Sequence, residues 1–98
     1  MKVKFNDGTV KKCSNPIEQK IFKGGNPTGW LCSLNISEAM TSTEVDEVFT
    51  DDNISELTFC NDDGSELFVV SGYDKITSAV VRHAESNGAV EIQLTKGI

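Results

Sequence analysis

Hydrophobic and polar residues alternate along much of this chain, and the alternation is clearest after residue 29. Apolar side chains recur at every second position of that segment, namely at Trp30, Cys32, Leu34 and Ile36. A period of two is typical of a half-buried β-strand, whose successive side chains point to opposite faces. We therefore predict a central strand here.

One helix is predicted directly after that strand. Thr41 can cap it, and Glu44, three residues on, can complete a capping box by reaching back to the Thr41 backbone. Met40 can pack on Val45 as a hydrophobic staple. Apolar residues follow at helical spacing, at Val45, Val48 and Phe49. We expect the helix to end near residues 51–53 after about ten residues, too short to be stable without packing on a sheet.

Two hairpins are predicted from glycine-containing turns near the ends of the chain. In the first, Asp7-Gly8 is the turn, which would place Phe5 opposite Val10. The last hairpin joins strands over residues 75–84 and 89–95 through Asn87-Gly88. Its two-residue register pairs apolar positions with each other, and it also pairs the single histidine with an apolar residue. The pairs are Val81 with Leu94 and His83 with Ile92.

A third hairpin, over residues 54–73, can pair in two registers. If Asp63-Gly64 is a two-residue turn, Thr58 faces Val69 and both sheet faces become mixtures. If residues 61–64 form a type I turn with Gly64 in the left-handed conformation, one face becomes apolar. That face consists of Leu57, Phe59, Leu67 and Val69. We favour the second register because it separates the faces better.

Residues 14–29 are the least regular part of the chain and are predicted to form a mobile loop. They contain both prolines and three of the eight glycines. Within them, Ile17–Lys23 can be ordered as an edge strand or as a single turn. Trp30, which follows the loop, is either a core residue or an interface anchor. The possible interface residues are Gly24, Gly25, Asn26, Pro27 and Trp30.

The pattern predicts a mainly β protein of the α+β class. We expect an antiparallel sheet of about six to seven strands, curled into a sandwich or a partly closed barrel, with one short helix packed on it. The composition does not change along the 98 residues. We therefore expect a single small domain over residues 1–98.

Charge and cysteine usage narrow the class of partner and the compartment. A net charge of −6 argues against nucleic acid or an anionic membrane as the partner. No apolar run reaches the ~20 residues that span a bilayer, and the first ten residues are charged where a signal peptide would be apolar. The odd count of three cysteines is typical of reduced thiols. We expect a cytoplasmic protein.

Candidate chemistry is sparse. An acid–base or nucleophilic mechanism near neutral pH would need His83, the only histidine, which the predicted register places on an apolar face. A metal site would have to gather His83 with Cys13, Cys32 and Cys60 from separate strands, without a local cysteine pair. We expect no catalytic residues, no metal and no cofactor.

Three stretches resemble short prophage-encoded proteins of Gram-positive bacteria, which are associated with the phage tail or virion. They are the opening MKVKFNDGT, the passage VDEVFTDDNISELTFCNDDGSELFVVSGYDKI, and the final strand pair. The resemblance implies a structural role in a virion, with antiparallel sheets that assemble through strand edges and loops. It brings no catalytic residues.

The leading functional hypothesis is a non-enzymatic structural or interaction module, a prophage tail or virion-associated protein made in the host cytoplasm. It would act by self-assembly into a homo-oligomer or by docking to a protein partner. The alternative is a small ligand-binding or regulatory domain that uses residues 24–30 as its lid. An enzyme centred on His83 is a third hypothesis.

Overall fold

The computed structural model describes residues 1–81 and 90–98, with the backbone alone for residues 78–81. Within these residues the chain forms eight β-strands and one α-helix. In chain order the elements are β1 (Lys2–Lys4), β2 (Val10–Lys12), β3 (Ile17–Lys23), β4 (Asn26–Ile36), α1 (Ser42–Val48), β5 (Glu56–Cys60), β6 (Glu66–Ser71), β7 (Lys75–Val81) and β8 (Val90–Gly97).

Two antiparallel sheets of four strands contribute to one hydrophobic core. The first sheet has the order β2-β1-β5-β6, and the second has the order β3-β4-β8-β7. An isolated bridge between Cys13 and Ile36 joins the two sheets at one corner. The predicted fold class, mainly antiparallel β with one short helix, is confirmed, but the sheets do not close into a barrel and the described residues form eight strands.

Strand β4 is central, as predicted, because β3 and β8 pair with its two edges. Three of its predicted core residues, Cys32, Leu34 and Ile36, are 0% exposed. Trp30 is only half-buried and packs against the margin of the core. The alternation therefore predicted the buried face of β4 correctly along most of its length.

The helix start is also confirmed. The Thr41 hydroxyl accepts a hydrogen bond from the Glu44 backbone N–H (3.1 Å), and the Glu44 carboxylate accepts one from the Thr41 N–H (3.4 Å). The apolar stripe, Val45, Val48 and Phe49, is buried in the core. The helix has seven residues, fewer than expected. It ends at Val48, whose carbonyl accepts a hydrogen bond from Asn53 Nδ2 (2.8 Å).

The predicted register of the first hairpin is wrong by one residue. Lys4, not Phe5, lies opposite Val10. The Phe5 N–H donates to the Thr9 carbonyl (2.9 Å), and Gly8 has a φ of 89°. Gly8, in the left-handed conformation, is the extra residue that makes this a type I turn with a bulge rather than a two-residue turn.

In the third hairpin, the favoured turn is confirmed. Gly64 has a φ of 90°, and its N–H donates to the Asn61 carbonyl (2.9 Å). Asp63 Oδ1 accepts hydrogen bonds from the Ser65 backbone N–H (2.9 Å) and hydroxyl (2.7 Å), which lower the pKa of Asp63. These acidic residues are therefore part of the turn chemistry.

The register favoured for this hairpin holds only next to the turn. Between Phe59 and Cys60 a β-bulge shifts the pairing by one residue, so that Phe59 lies opposite Phe68. Phe59 is 0% exposed, as predicted, but Leu67 is 45% and Val69 43% exposed. The bulge moves the inner face of β6 onto other residues, and those two predicted core positions are wrong.

The last hairpin also departs from the predicted register. Val81 lies opposite Val90, and Ile92 lies opposite Ala79. The predicted Val81–Leu94 and His83–Ile92 pairs are therefore wrong, since Leu94 lies opposite Ile76 and Ile92 opposite Ala79. The predicted turn at Asn87-Gly88 and the position of His83 lie outside the described residues.

Most of residues 14–29 is paired, where we predicted a mobile loop. Ile17–Lys23 forms strand β3 at the edge of the second sheet, as one of the two alternatives proposed, and β4 starts at Asn26. The glycines that suggested a loop instead make a tight turn, because two adjacent glycines can adopt positive φ without strain. The mobility of the segment stays a prediction.

Candidate functional site

The β3–β4 hairpin turns at Gly24 and Gly25. Their φ angles are +56° and +81°, and Lys23 lies opposite Asn26 across the turn. Two successive positive φ values define a type I′ turn, whose twist matches that of the flanking strands. The Gly-Gly pair therefore builds a tight hairpin tip.

The tip of this hairpin extends beyond its neighbouring strand. β8 pairs with β4 only as far as Gly29, which lies opposite Gly97. A side chain at Gly29 would collide with the Lys96 backbone carbonyl, so the glycine lets β8 approach this closely. On the tip side of Gly29, Phe22 is 59% exposed. Among the described residues, the two strands at the tip have only each other as partners.

Aromatic and basic side chains lie side by side at the base of the hairpin. Trp30 is opposite Lys20 on one side and opposite Lys96 on the other, so the three share a face. Lys20 Nζ lies 5.4 Å from the centroid of the Trp30 ring. Lys96 Nζ lies 4.5 Å from the centroid of the Tyr73 ring. The aromatic rings therefore hold two cations in place on this face.

A hydrogen bond ties the edge strand to the segment after β6. The Tyr73 hydroxyl donates to Glu18 Oε2 (2.8 Å), and Tyr73 is 0% exposed. Burial, together with this hydrogen bond to an anionic carboxylate, raises the pKa of Tyr73. Glu18 is thus held in position on an otherwise exposed strand.

A second exposed apolar surface lies on β6, the edge strand of the other sheet. Leu67, Phe68 and Val69 are 45%, 39% and 43% exposed. The Phe68 ring stacks on Phe59 with centroids 5.0 Å apart. The backbone at the end of this strand is already occupied, since Lys96 Nζ donates to the Ser71 carbonyl (2.7 Å).

The two buried thiols, Cys13 and Cys32, are poor nucleophiles near neutral pH. Burial raises the pKa of Cys32, and that of Cys13, to about 11. Cys13 also lines a cleft of about 370 Å³ beside Lys12 and Asp62. Within residues 1–81 and 90–98, no three His, Cys, Asp or Glu side chains come together as a group that could hold a metal ion.

The structure places all five predicted interface residues on the β3–β4 hairpin, four at its tip and one nearer its base. Four of them form the exposed hairpin tip, namely Gly24, Gly25, Asn26 and Pro27. Trp30 lies further back, half-buried between two lysines. Sequence reasoning missed Ile17 and Phe22, which are 57% and 59% exposed on the outer strand. Their signal was three apolar residues placed among three charged residues and a glutamine across Ile17–Lys23, since charged side chains are common on exposed edge strands.

Comparisons with known proteins identify no relative: no family model matches the chain, and no curated protein or solved structure is significantly similar to it. In the part of the chain that the structure describes, no helix has the length and apolar character needed to cross a membrane. The case for a function therefore rests on the surfaces of the chain itself.

Proposed function

We propose that this chain is a non-enzymatic interaction module that acts by self-association or by docking on a protein partner. The observation that carries the proposal is the β3–β4 hairpin. Its outer strand is exposed or half-buried at all seven residues, and within the described part of the chain it pairs only with β4. An unpaired strand edge is a template for a strand of another chain.

The side chains of the hairpin support a protein partner. Phe22 and Ile17 are well exposed, and Trp30 is accessible between Lys20 and Lys96. Aromatic residues are enriched at protein interfaces. The net charge of −6 opposes binding to nucleic acid or to an anionic membrane.

A virion-associated role is part of the proposal. It is supported by the resemblance of the opening residues and of residues 45–76 to prophage-encoded tail or virion proteins. Such proteins assemble after synthesis in the host cytoplasm, and self-association through strand edges would suit a homo-oligomeric component.

Light scattering on size-exclusion fractions across a concentration series tests this function. We expect the average mass to rise with concentration, or the chain to co-purify with products of adjacent genes. Phe22→Ser should weaken either association, whereas Val10→Ser, at another exposed apolar residue (49%) on β2, should not. A chain that stays monomeric and retains no adjacent gene product contradicts the proposal.

A ligand-binding or regulatory domain is the second candidate, favoured by the position of Trp30. Its ring lies between Lys20 and Lys96, which suits an anionic ligand with a planar group. Trp30 is the only tryptophan, so its fluorescence reports this position alone. A saturable shift with an anionic metabolite would favour this candidate, and an unchanged spectrum across a metabolite panel would count against it.

A further inference from the structure

The hydrogen bonds at the corner between the two sheets show which way the backbone of β4 faces. The Ser14 N–H donates to the Asn35 carbonyl (3.1 Å), and the Ser37 N–H donates to the Lys12 carbonyl (2.9 Å). Both bonds lie on the edge of β4 that also pairs with β3. In an antiparallel ladder the bonding direction alternates along the strand. The odd-numbered residues of β4 therefore bond toward β3.

This alternation defines the open backbone groups of β3. Ile17 and Gln19 lie opposite odd-numbered residues of β4, so their N–H and C=O groups bond to β4. The Thr28 hydroxyl donates to the Ile21 carbonyl (3.3 Å), which places that carbonyl on the β4 side as well. The N–H and C=O groups of Glu18 and Lys20 consequently point away from the sheet.

Resting on the proposed function, which requires a surface for association, we propose that the partner of this edge is β3 of a second copy. The two strands pair antiparallel about a two-fold axis at Gln19. Glu18 then lies opposite Lys20 of the second copy and Lys20 opposite its Glu18, so both outward-facing backbones exchange hydrogen bonds. On the other face, Ile17 lies opposite Ile21 of the second copy. The two sheets become one continuous eight-stranded sheet with an isologous interface.

Charge complementarity favours this register over the symmetric registers whose two-fold axis lies at Glu18 or at Lys20. An axis at Lys20 would place two lysines opposite each other, and an axis at Glu18 would do the same with two glutamates. Like charges directly opposite are destabilising, whereas opposite charges stabilise a strand pair. In the Gln19-centred register, Phe22 lies opposite Pro16 of the second copy, which has no N–H, and the ladder ends there.

The positions of the side chains fit this pairing. Tyr73 occupies Oε2 of Glu18 (2.8 Å), and an ionised carboxylate can accept further hydrogen bonds at its other oxygen. Because the Tyr73 bond already orders Glu18, less side-chain entropy is lost when the second copy binds. Lys20 lies over Trp30, so its ammonium is also partly ordered before association.

The other described edges are less open. β2 has only three residues. β6 has a bulge beside Leu67, and its Ser71 carbonyl is bonded to Lys96. β7 has a bulge as well, and the N–H of its Ile76 donates to Asp51 Oδ1 (3.2 Å). Bulges and occupied backbone groups protect an edge from pairing. The β3–β4 pair also has a register shift beside Ile21, but its extra residue, Thr28, lies in β4 and not in the edge strand, so β3 is the edge on which a second copy fits.

Charge-reversal variants test the register. Lys20→Glu places two acidic side chains opposite each other in the dimer, and Glu18→Lys places two basic ones there. We expect each variant alone to dimerise roughly tenfold or more weakly than the parent protein in sedimentation equilibrium. An equimolar mixture should regain dimerisation, because each mixed pair combines opposite charges. Lys23→Glu, outside the paired residues, should leave dimerisation nearly unchanged. A mixture no better than either variant overturns the proposal.

A disulfide test remains informative even if Glu18→Lys, which also removes the acceptor of Tyr73, fails to fold. In a Cys60→Ser background, Gln19→Cys should form a disulfide-linked dimer under mild oxidation. Non-hydrogen-bonded antiparallel partners have Cα atoms about 4.5 Å apart, within the range that disulfides bridge. Lys23→Cys, on the same exposed strand, has no copy of itself opposite and should not cross-link. A cross-link at Lys23→Cys but not at Gln19→Cys overturns the proposal.

The outcomes also separate this proposal from the broader function. If the protein self-associates but the mixture fails and Gln19→Cys does not cross-link, the β3 pairing is wrong and the interaction module stands. If the protein stays monomeric yet captures a different partner, the β3 pairing is again wrong and the interaction module again stands. If it neither self-associates nor captures a partner, both are wrong.

Discussion

The edge strands β3 and β6 differ in what they expose. β6 exposes apolar side chains, with Phe68 39% exposed, but its backbone is protected by a bulge and by the bond from Lys96 to the Ser71 carbonyl. β3 also exposes apolar side chains, with Ile17 57% and Phe22 59% exposed, but the outward backbone groups of Glu18 and Lys20 have no partner strand among the described residues. Apolar exposure therefore does not distinguish the two edges, whereas the backbone does, because it decides whether a ladder can form.

The largest expected effect tests how β6 is held in the fold. Phe59→Ala removes a 0% exposed ring and its stacking partner for Phe68, so we expect the free energy of unfolding to fall by about 3–5 kcal/mol. Phe68→Ala, on the other side of the same stack, should cost clearly less, since its ring is 39% exposed. Urea unfolding measures both variants. Equal losses of unfolding free energy would show that Phe68 contributes more to stability than its exposure indicates.

The next effect compares the thiols beside the two edges. Cys32 lies opposite Glu18 of β3 and is buried, whereas Cys60 lies opposite Glu66 of β6 and is half-buried. Burial raises the pKa of Cys32 from 9.0 to about 11. The unfolded thiol therefore loses its proton first as the pH rises. Its contribution to stability is complete below about pH 9 and is lost toward pH 11, a change of about 2–3 kcal/mol.

Urea unfolding at a series of alkaline pH values measures this loss. The Cys32→Ala variant should show a shallower decline than the parent protein. Tyr73, whose pKa burial also raises, is retained in both proteins, so the difference between them reports the thiol. Identical slopes would contradict the assignment. In the native protein at mildly alkaline pH, iodoacetamide should modify Cys60 before Cys32.

The smallest effect on stability tests whether Lys96 protects the outer edge of β6. Lys96→Met removes the donor to the Ser71 carbonyl and the cation beside Tyr73, at a cost of about 1 kcal/mol in unfolding free energy. We expect the variant to associate more strongly than the parent in light scattering, because the carbonyl becomes open. Lys75→Met, at an exposed residue of β7, provides the matched control. If both variants associate equally, added apolar surface is the cause and the protection of β6 by Lys96 is wrong.

Local sequence signals predicted the elements that depend on neighbouring residues. The capping box of Thr41 and Glu44 and the stripe at Val45 and Val48 form as expected, because helix start signals act within four residues. The alternation after residue 29 located the buried face of β4. The acidic turn ending at Gly64 was also recognised, since only its own residues determine it.

Pairing registers were less predictable. The turns ending at Gly8 and Gly64 have the same chemistry, with Asp7 and Asp63 accepting bonds from the second residue after each. We nevertheless predicted a two-residue turn for the first, which misplaced Phe5 by one residue. A single added residue changes the whole register, and local sequence alone does not distinguish the two turn lengths.

The candidate site was likewise predicted only in part. The sequence located the hairpin tip at residues 24–27 but interpreted it as a loop, because Gly-Gly is compatible with both a mobile segment and a type I′ turn. The edge strand Ile17–Lys23 was one of two alternatives. Its outward backbone direction could not be predicted, since this depends on bonds such as that from Ser14 to Asn35 at the sheet corner.

By itself, the sequence determined the fold class, the helix, the central strand and the positions of the turns ending at Gly8 and Gly64, since these follow from periodicity and short-range hydrogen bonds. Only the tertiary structure decided which strand edge is open. β6 is protected by Lys96, 25 residues away from Ser71 in the chain and in the other sheet. Glu18 is ordered by Tyr73, 55 residues away. Contacts between segments so distant in sequence have no local pattern, because they depend on how the two sheets pack.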